Sequence, residues 1–203
     1  MEIIKFNETI YAKTVLILGV FHGDEQDGEF LIRKYIDSNP KITKNRIIFI
    51  PVVNESGKAK NTRVNANGVD LNRNFPTSNW ELSKEKDDYF GGEFKGSEEE
   101  TQNLIKIIEH FKPDCILSLH QPYRCVNFDG PYNETYRIAQ KISKINGYKI
   151  EENIGYPTPG SFGTYCGIEL KIPTITLELP ENEDKNILWN ENKGIFEYFA
   201  NEY

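Results

Sequence analysis

The sequence has few cysteines and no excess of positive charge. Its three cysteines, Cys115, Cys125 and Cys166, form no C-x-x-C pair, which favours free thiols over disulfides or a cysteine metal site. Asp and Glu number 31 against 24 Lys and Arg, so the net charge is −7. General affinity for nucleic acid depends on basic side chains that neutralise phosphates. We therefore expect no nucleic-acid partner.

Long apolar runs are also missing. The chain contains no run of 18 apolar residues, and its first ten residues carry two Glu and one Lys. This pattern predicts no membrane span and no secretory signal, and so a cytoplasmic protein without a membrane partner. The remaining composition, with 38% hydrophobic residues in 203, is sufficient for one buried core. We expect residues 1–203 to form a single domain; nothing indicates the oligomeric state.

Short apolar runs alternate with helical patterns. Runs this rich in Val, Ile and Leu are typical of strands buried on both faces of a mostly parallel sheet. The predicted strands are Thr14–Val20, Ile47–Val53, Cys115–Leu119 and Pro173–Leu179. The predicted helices are Glu25–Asp37, one that follows Ser97, Tyr132–Ile145 and Asn186–Phe199.

These elements predict an α/β fold, in which helices flank both sides of a mixed, mostly parallel sheet. Ser97 and Glu100 are spaced as a capping box, in which each side chain bonds the other residue's backbone N–H. Long loops are predicted over Glu55–Thr77 and Thr77–Gly96, close to the polar residues described next.

Histidines follow two of the predicted strands. His22 and Glu25 lie just after the first strand, and His120 follows Cys115–Leu119. Two imidazoles and one carboxylate leave a fourth tetrahedral position open for water, which is the arrangement of catalytic zinc. A histidine at a strand end is more often a surface or capping residue, so the His22–Glu25 spacing alone is a weak signal. The third histidine, His110, suits a helix C-terminus instead.

Four segments together resemble the zinc carboxypeptidase family. They match its pattern in order between about residue 15 and residue 180, and the central G-V-D-L-N-R-N-F-P stretch is highly specific. The segments are His22-Gly23-Asp24-Glu25, Asn67-Gly68-Val69-Asp70-Leu71-Asn72-Arg73-Asn74-Phe75-Pro76, Ser118-Leu119-His120 and Thr176-Leu177-Glu178. The resemblance implies a hydrolase with one Zn²⁺ per chain, held by His22, Glu25 and His120.

The resemblance also implies catalytic residues. Glu178 matches the general base that assists attack of a zinc-bound water, and Arg63 matches an arginine that stabilises the developing oxyanion. The alternative for Glu178 is an ordinary charged residue at a strand edge. That alternative explains poorly a Glu inside the apolar segment Thr174–Leu179, since Glu is seldom buried unpaired.

Four further residues match the family's substrate-binding and supporting positions. Asn72 and Arg73 match the pair that grips the substrate's terminal carboxylate, for which the arginine fork is well suited. Tyr156 matches a mobile tyrosine that closes over the substrate. Asp70 matches a carboxylate that orients a zinc-bound histidine. The alternatives are a surface ion pair for Arg73, an Asx turn for Asp70 and loop packing for Tyr156.

A narrower resemblance is to the murein peptide amidase A group. It rests on Asn65–Asp70, on Gly155-Tyr156-Pro157-Thr158-Pro159-Gly160-Ser161-Phe162-Gly163 and on Glu178-Leu179-Pro180. It implies release of meso-diaminopimelate from the γ-D-glutamyl bond of a small murein peptide, as in cell-wall peptide recycling. Two alternatives stay open, a zinc deacylase of N-acyl amino acids and a non-catalytic muropeptide-binding protein.

Overall fold

A computed structural model describes residues 1–83 and 87–203. The predicted long loop Thr77–Gly96 includes residues 84–86, which lie outside the described residues. In chain order the strands are β1 (Ile4–Phe6), β2 (Thr14–Leu18), β3 (Arg46–Ile50), β4 (Cys115–His120), β5 (Tyr123–Asp129), β6 (Lys149–Glu151) and β7 (Thr174–Pro180). The α-helices are α1 (Asp27–Asp37), α2 (Glu55–Lys60), α3 (Glu99–Phe111), α4 (Tyr132–Asn146) and α5 (Lys185–Glu197).

The seven strands form one mixed sheet in the order β1-β3-β2-β4-β7-β5-β6. The four central strands β3, β2, β4 and β7 run parallel, β1 and β5 are antiparallel to their inner neighbours, and β6 is parallel to β5. These parallel strands are the four predicted from the apolar runs, and the predicted α/β fold is confirmed. The strands β2 and β3 end earlier than predicted, at Leu18 and Ile50, because the chain turns there.

Side-chain alternation along the strands separates two apolar layers. One face of the sheet, with Val15, Ile17 and Leu117, packs against α1, α4 and α5. The opposite face, with Leu16 and Ile116, packs against α3 and the loops around it. The helices therefore lie on both sides of the sheet, as predicted. On the α3 side the layer becomes polar toward the carboxyl ends of β4 and β7, where a cleft opens.

Two local predictions are wrong. The helix α3 begins at Glu99, with Glu98 at its N-cap, and no side chain caps it. Ser97 instead donates its hydroxyl to Glu98 Oε1 at 2.6 Å, so the predicted capping box with Glu100 does not form. The segment Glu55–Thr77, predicted as one irregular loop, contains α2 and a short 3-10 turn at Leu71–Arg73.

The cysteines are free thiols, as predicted, and all three are buried. A π-helical turn at Thr164–Glu169 precedes β7, and a second one at Tyr198–Glu202 extends α5 beyond its predicted end. Within the described ranges, no helix is both long enough and apolar enough to cross a membrane.

Candidate active site

The chain turns sharply as it leaves β2. Val20 has φ of 50°, in the left-handed region that a β-branched residue rarely adopts. Its side chain is fully buried, and its carbonyl accepts a hydrogen bond from the Asn54 N–H at 2.9 Å. Packing therefore holds a strained backbone in place, a feature that clusters at functional sites. The turn directs the following residues, His22 among them, into the cleft.

Close backbone packing fixes the segment after this turn. A Cβ atom on Gly23 would overlap the backbone of Gly57 and Lys58, so only glycine allows this approach. Gly57 belongs to α2, where its N–H donates to the Asn54 side chain at the N-cap at 2.8 Å. The contact between Gly23 and Gly57 sets the position of His22 and Glu25 relative to α2.

His22, Glu25 and His120 converge in the cleft. Glu25 Oε1 lies 2.7 Å from His22 Nδ1, and Glu25 Oε2 lies 3.0 Å from His120 Nδ1. All three potential ligand atoms lie within 4.8 Å of one another, and all three residues are buried. The structure thus brings His120 into contact with Glu25, which lies 95 positions earlier in the sequence.

The donor set fits zinc. Ligand atoms about 2.0–2.2 Å from a tetrahedral zinc ion lie roughly 3.4 Å apart, and the three potential ligand atoms here lie within 4.8 Å of one another. Imidazole nitrogen and carboxylate oxygen are both zinc ligands, and each imidazole presents Nδ1 toward the shared carboxylate. No fourth side chain joins the group among the described residues. Such a group could hold the ion and leave a position for substrate or water.

Asp70 supports His22 from behind. Its Oδ1 lies 3.1 Å from His22 Nε2, and its Oδ2 accepts from Arg63 Nη2 at 2.8 Å. Oδ1 also accepts from the Asn72 N–H at 2.8 Å, so Asp70 caps the 3-10 turn as an Asx residue as well. A hydrogen bond to Nε2 leaves Nδ1 free to face a metal ion. Both interpretations of Asp70 are therefore compatible with its contacts.

The carboxylates control the charge of the cluster. Burial lowers the pKa of His22, but Glu25 and Asp70 outweigh it and raise that pKa to about 9. Burial acts to raise the pKa of Glu25, yet the two imidazoles hold it well below its usual range. The pKa of Asp70 is also held low against burial, mainly by His22 and then by Arg63. The two ionised carboxylates thus stabilise positive charge in this buried site, and His22 must give up its proton when it binds a metal ion.

Glu178 lies beside this cluster with one oxygen unpaired. It is opposite His120 in the parallel pairing of β4 and β7. Its side chain is buried, and its Oε2 has no hydrogen-bond partner among the described residues. Burial raises the pKa of Glu178 above its ordinary value. A carboxylate with one unpaired oxygen and a raised pKa is suited to accept and release a proton.

Arg73 and Asn72 are held by the loop that begins near Tyr156. Asn72 Oδ1 accepts from the Phe162 N–H at 2.8 Å, and Arg73 Nη1 donates to the Asn72 carbonyl at 2.7 Å. A Cβ on Gly160 would collide with the Arg73 carbonyl, and Gly160 has φ of 71°, so a side chain is excluded there. Arg73 is 6% exposed, yet it lines the cleft.

Tyrosine rings cover both arginines at the mouth of the cleft. Tyr156 is 36% exposed, and its ring centroid lies 5.9 Å from the Arg73 guanidinium. The Tyr89 ring lies 4.9 Å from the guanidinium of Arg63 and 5.8 Å from that of Arg73. Sequence reasoning missed Tyr89, because it lies in an irregular loop with no pattern that marks it.

A cleft of about 760 Å³ contains every predicted site residue except Asp70, which lies directly behind its wall. The cleft also has lining residues that sequence reasoning did not single out, on β5 and on the adjoining strand. These include Tyr123, Asn127, Asp129 and Thr176. Gln121, which directly follows His120, donates to Asp27 Oδ2 and to the Pro180 carbonyl, both at 3.3 Å.

Comparison with known proteins identifies the fold and the chemistry. A model of the family described as zinc carboxypeptidase matches residues 11–195. Murein peptide amidase A from Escherichia coli strain K12 is 33% identical over 177 residues, which cover 81% of this chain and 70% of that protein. The chain belongs to the zinc carboxypeptidase family. It is therefore a hydrolase, as predicted.

Solved structures show the same zinc carboxypeptidase fold. The crystal structure of murein-tripeptide amidase from Escherichia coli O157 matches with a TM-score of 0.77 and 28% identity, over 96% of this chain and 84% of that one. Carboxypeptidase A from Helicoverpa armigera shares the fold with a TM-score of 0.75 at 18% identity, over 91% of this chain and 59% of that one.

Proposed function

We propose that this zinc carboxypeptidase is a peptide amidase, which releases meso-diaminopimelate from the γ-D-glutamyl bond of a murein tripeptide. The observation that carries the proposal is the convergence of His22, Glu25 and His120 beside Glu178, which has one unpaired oxygen, in a cleft that also contains Arg73. A metal site, a proton acceptor and a carboxylate anchor are the three parts that hydrolysis next to a free terminal carboxylate requires.

In this proposal the chain holds one Zn²⁺ through His22, Glu25 and His120. When bound, zinc polarises the scissile carbonyl and lowers the pKa of a water molecule toward about 7. Glu178 takes the proton from the attacking water and passes it to the leaving amine, because it lines the cleft and one of its oxygens has no hydrogen-bond partner among the described residues. Asp70 fixes the His22 ring through the contact at 3.1 Å.

The remaining site residues bind and orient the substrate. Arg73 and Asn72 hold its terminal carboxylate, for which the buried guanidinium supplies a planar fork. Arg63 donates to the oxyanion that develops on the scissile carbonyl, and its 3.7 Å contact with Glu25 places it beside the metal group. Tyr156 closes over the bound peptide, since its ring already lies over Arg73 and is partly exposed.

The choice of a murein peptide draws on two relatives. Both the murein peptide amidase A of Escherichia coli strain K12 and the murein-tripeptide amidase of strain O157 carry that substrate in their names. The single sheet supports a single catalytic domain over residues 1–203. Action in the cytoplasm, in recycling of cell-wall peptides, is part of the same proposal.

The experiment is mass spectrometry of products from L-alanyl-γ-D-glutamyl-meso-diaminopimelate, with zinc present and after chelation. We expect free diaminopimelate only with zinc. Glu178→Gln should keep stoichiometric zinc while kcat falls by about 10²–10⁴-fold, the usual contribution of a general base. Zinc-loaded enzyme that leaves the tripeptide intact but hydrolyses N-acyl amino acids would overturn the proposal in favour of a deacylase. Binding without any hydrolysis would indicate a muropeptide-binding protein.

A further inference from the structure

One tyrosine ring contacts both of the arginines that the proposed chemistry uses. The ring centroid of Tyr89 lies 4.9 Å from the Arg63 guanidinium and 5.8 Å from the Arg73 guanidinium. The face of an aromatic ring attracts a cation within about 6 Å of its centroid, because the ring carries negative charge density there. Tyr89 lines the cleft and is 54% exposed, so packing in an apolar core does not account for its position.

The backbone next to Tyr89 is fixed against the segments on which the two arginines depend. Phe90 is buried, and its carbonyl accepts a hydrogen bond at 2.8 Å from the N–H of Asp70, the carboxylate that binds the first of these guanidinium groups. Gly91 lies directly against the Arg73 carbonyl, where a Cβ atom would collide with it. The ring of Tyr89 therefore keeps a fixed relation to both arginines.

Hydrogen bonds hold Arg63 along one edge of its guanidinium group. Its Nε and Nη2 donate to Asp70 Oδ2 at 3.1 and 2.8 Å, and its Nη1 lies 3.7 Å from Glu25 Oε1, beside the metal group. Because both bonds go to one oxygen, the guanidinium can still swing about that edge. The Tyr89 ring restricts this movement, so that Nη1 keeps its place beside the metal group.

Arg73 depends more strongly on its ring contacts. Its Nη1 donates to the Asn72 carbonyl at 2.7 Å, and a neutral acceptor holds a guanidinium less strongly than a carboxylate does. The Tyr156 ring lies 5.9 Å from the same guanidinium, but in the proposed function this tyrosine moves when it closes over the peptide. Tyr89 is then the ring contact that persists through the reaction.

We propose that Tyr89 is a positioning residue, which holds the guanidinium groups of Arg63 and Arg73 in the orientations that oxyanion stabilisation and carboxylate binding require. This assignment rests on the proposed function, and it adds a single side chain that acts on both ends of the reacting group. Because one ring contacts both arginines, its loss should change kcat and KM together.

Steady-state kinetics compare wild type with Tyr89→Leu, which removes the ring, and with Tyr89→Phe, which keeps it. The substrates are L-alanyl-γ-D-glutamyl-meso-diaminopimelate and its C-terminal amide. In Tyr89→Leu we expect the tripeptide kcat to fall and its KM to rise, each by about 2- to 5-fold, the usual effect of one exposed cation–ring contact. On the amide only kcat should fall, since no terminal carboxylate is present. Tyr89→Phe should retain most of both constants.

Rotation of the guanidinium groups tests the positioning without any turnover. NMR exchange measurements on the zinc-loaded protein give the rate of rotation about the Nε–Cζ bond of each arginine. Tyr89→Leu should accelerate this rotation in both Arg63 and Arg73 by roughly 2- to 5-fold, and Tyr89→Phe should leave it slow. The matched control is Tyr11→Leu, whose ring lies 4.3 Å from the Arg46 guanidinium outside the cleft. It should accelerate Arg46 alone and leave the kinetics unchanged.

Unchanged kinetics in Tyr89→Leu, or unchanged rotation of either cleft arginine, would overturn the inference. Equal losses in Tyr89→Leu and Tyr89→Phe would also overturn it, because they would assign the effect to the hydroxyl group. Tyr89→Gln repeats the test if Tyr89→Leu cannot be purified in folded form. If wild type does not cleave the tripeptide, the proposed function fails, and the rotation rates alone then support or reject the role of Tyr89.

Discussion

At the scale of single residues, Arg73 is positioned chiefly through its backbone. Its carbonyl lies against Gly160 and Gly91, neither of which tolerates a Cβ atom there. Its guanidinium Nη1 donates a hydrogen bond to the Asn72 carbonyl at 2.7 Å. The rings of Tyr89 and Tyr156 cover the guanidinium. The side chain therefore reaches the cleft in one orientation, with further N–H donors available to a ligand.

We expect Arg73→Lys to weaken recognition of the substrate's terminal carboxylate. Lysine keeps the charge but lacks the planar fork, and loss of one charge-assisted hydrogen bond costs about 1.5–3 kcal/mol. That corresponds to a roughly 10- to 100-fold lower kcat/KM, mostly through KM. Steady-state kinetics on the tripeptide and on its C-terminal amide provide the check.

The amide substrate makes this prediction selective. Wild type and Arg73→Lys should cleave the C-terminal amide equally slowly, because neither can use the absent carboxylate. Arg33→Lys, at an exposed arginine of α1 that pairs with Glu29 and Glu2, should behave as wild type. A variant that loses as much on the amide as on the acid would show that Arg73 acts elsewhere.

Residues that could be predicted from the sequence differ from those that could not in the pattern of apolar residues around them. His22, Glu25 and His120 are predicted as a group from their places after two apolar runs together with the resemblance to the zinc carboxypeptidase family, and the structure brings them together. Asp129 has the same chemistry but lies in a strand whose cleft-facing positions are polar, so no apolar run marks it. Tyr89 contacts Arg63 because of the conformation of its loop, which no pattern in the sequence predicts.

At the scale of elements, Glu98 ties the start of α3 to the loop that precedes the substrate anchor. Its Oε2 accepts from Asn65 Nδ2 at 2.7 Å and from Asn67 Nδ2 at 2.8 Å. Its backbone N–H donates to Asn74 Oδ1 at 3.1 Å. Burial acts to raise the pKa of Glu98, but the hydrogen bonds from Ser97, Asn65 and Asn67 outweigh it, and the pKa is lowered.

We expect Glu98→Gln to lower the free energy of unfolding by about 1–2 kcal/mol at neutral pH, since a charged acceptor of several hydrogen bonds is lost. The native pKa of Glu98 is below its unfolded value, so this stabilisation is fully present above the unfolded value of about 4.3. It is lost as the pH falls through the native pKa. Urea titrations of both proteins at pH 7 and on the acid side measure the difference.

The neighbouring Glu99→Gln is the matched control, because Glu99 is exposed in the first turn of the same helix. It should change stability far less than Glu98→Gln. A gap between wild type and Glu98→Gln that stays constant as the pH falls toward and below 4 would contradict the assigned hydrogen bonds.

Elements with a continuous apolar pattern could be predicted, and short or half-polar ones could not. The strands β2, β3, β4 and β7 are buried on both faces, so their sequences are nearly all apolar. By contrast, β5 places Asn127 and Asp129 toward the cleft, which breaks the pattern of a buried strand. The helix α2 has only Gly57 buried, so it lacks an apolar stripe.

At the scale of the whole molecule, the metal group joins parts of the chain that are distant in sequence. His22 and Glu25 follow β2, and His120 ends β4, the strand that pairs with it. Asp70 and Arg63 connect the group to the segment after α2. Because an ion that binds only the folded chain stabilises it by mass action, zinc should strengthen the centre of the sheet.

We expect chelation to lower the melting temperature and added zinc to restore it. At free zinc about 100 times its Kd, the stabilisation is about 2.7 kcal/mol. For a chain of this size that is a rise of roughly 5–10 °C. Differential scanning calorimetry with a zinc buffer measures the shift.

His120→Ala should remove this shift, whereas His110→Ala, at the exposed third histidine on α3, should retain it in full. The melting temperature can be measured without any substrate. This experiment therefore distinguishes the absence of a zinc site from a wrong choice of substrate. A shift that persists in His120→Ala would place the ion elsewhere and remove the basis for Glu178 as its neighbouring base.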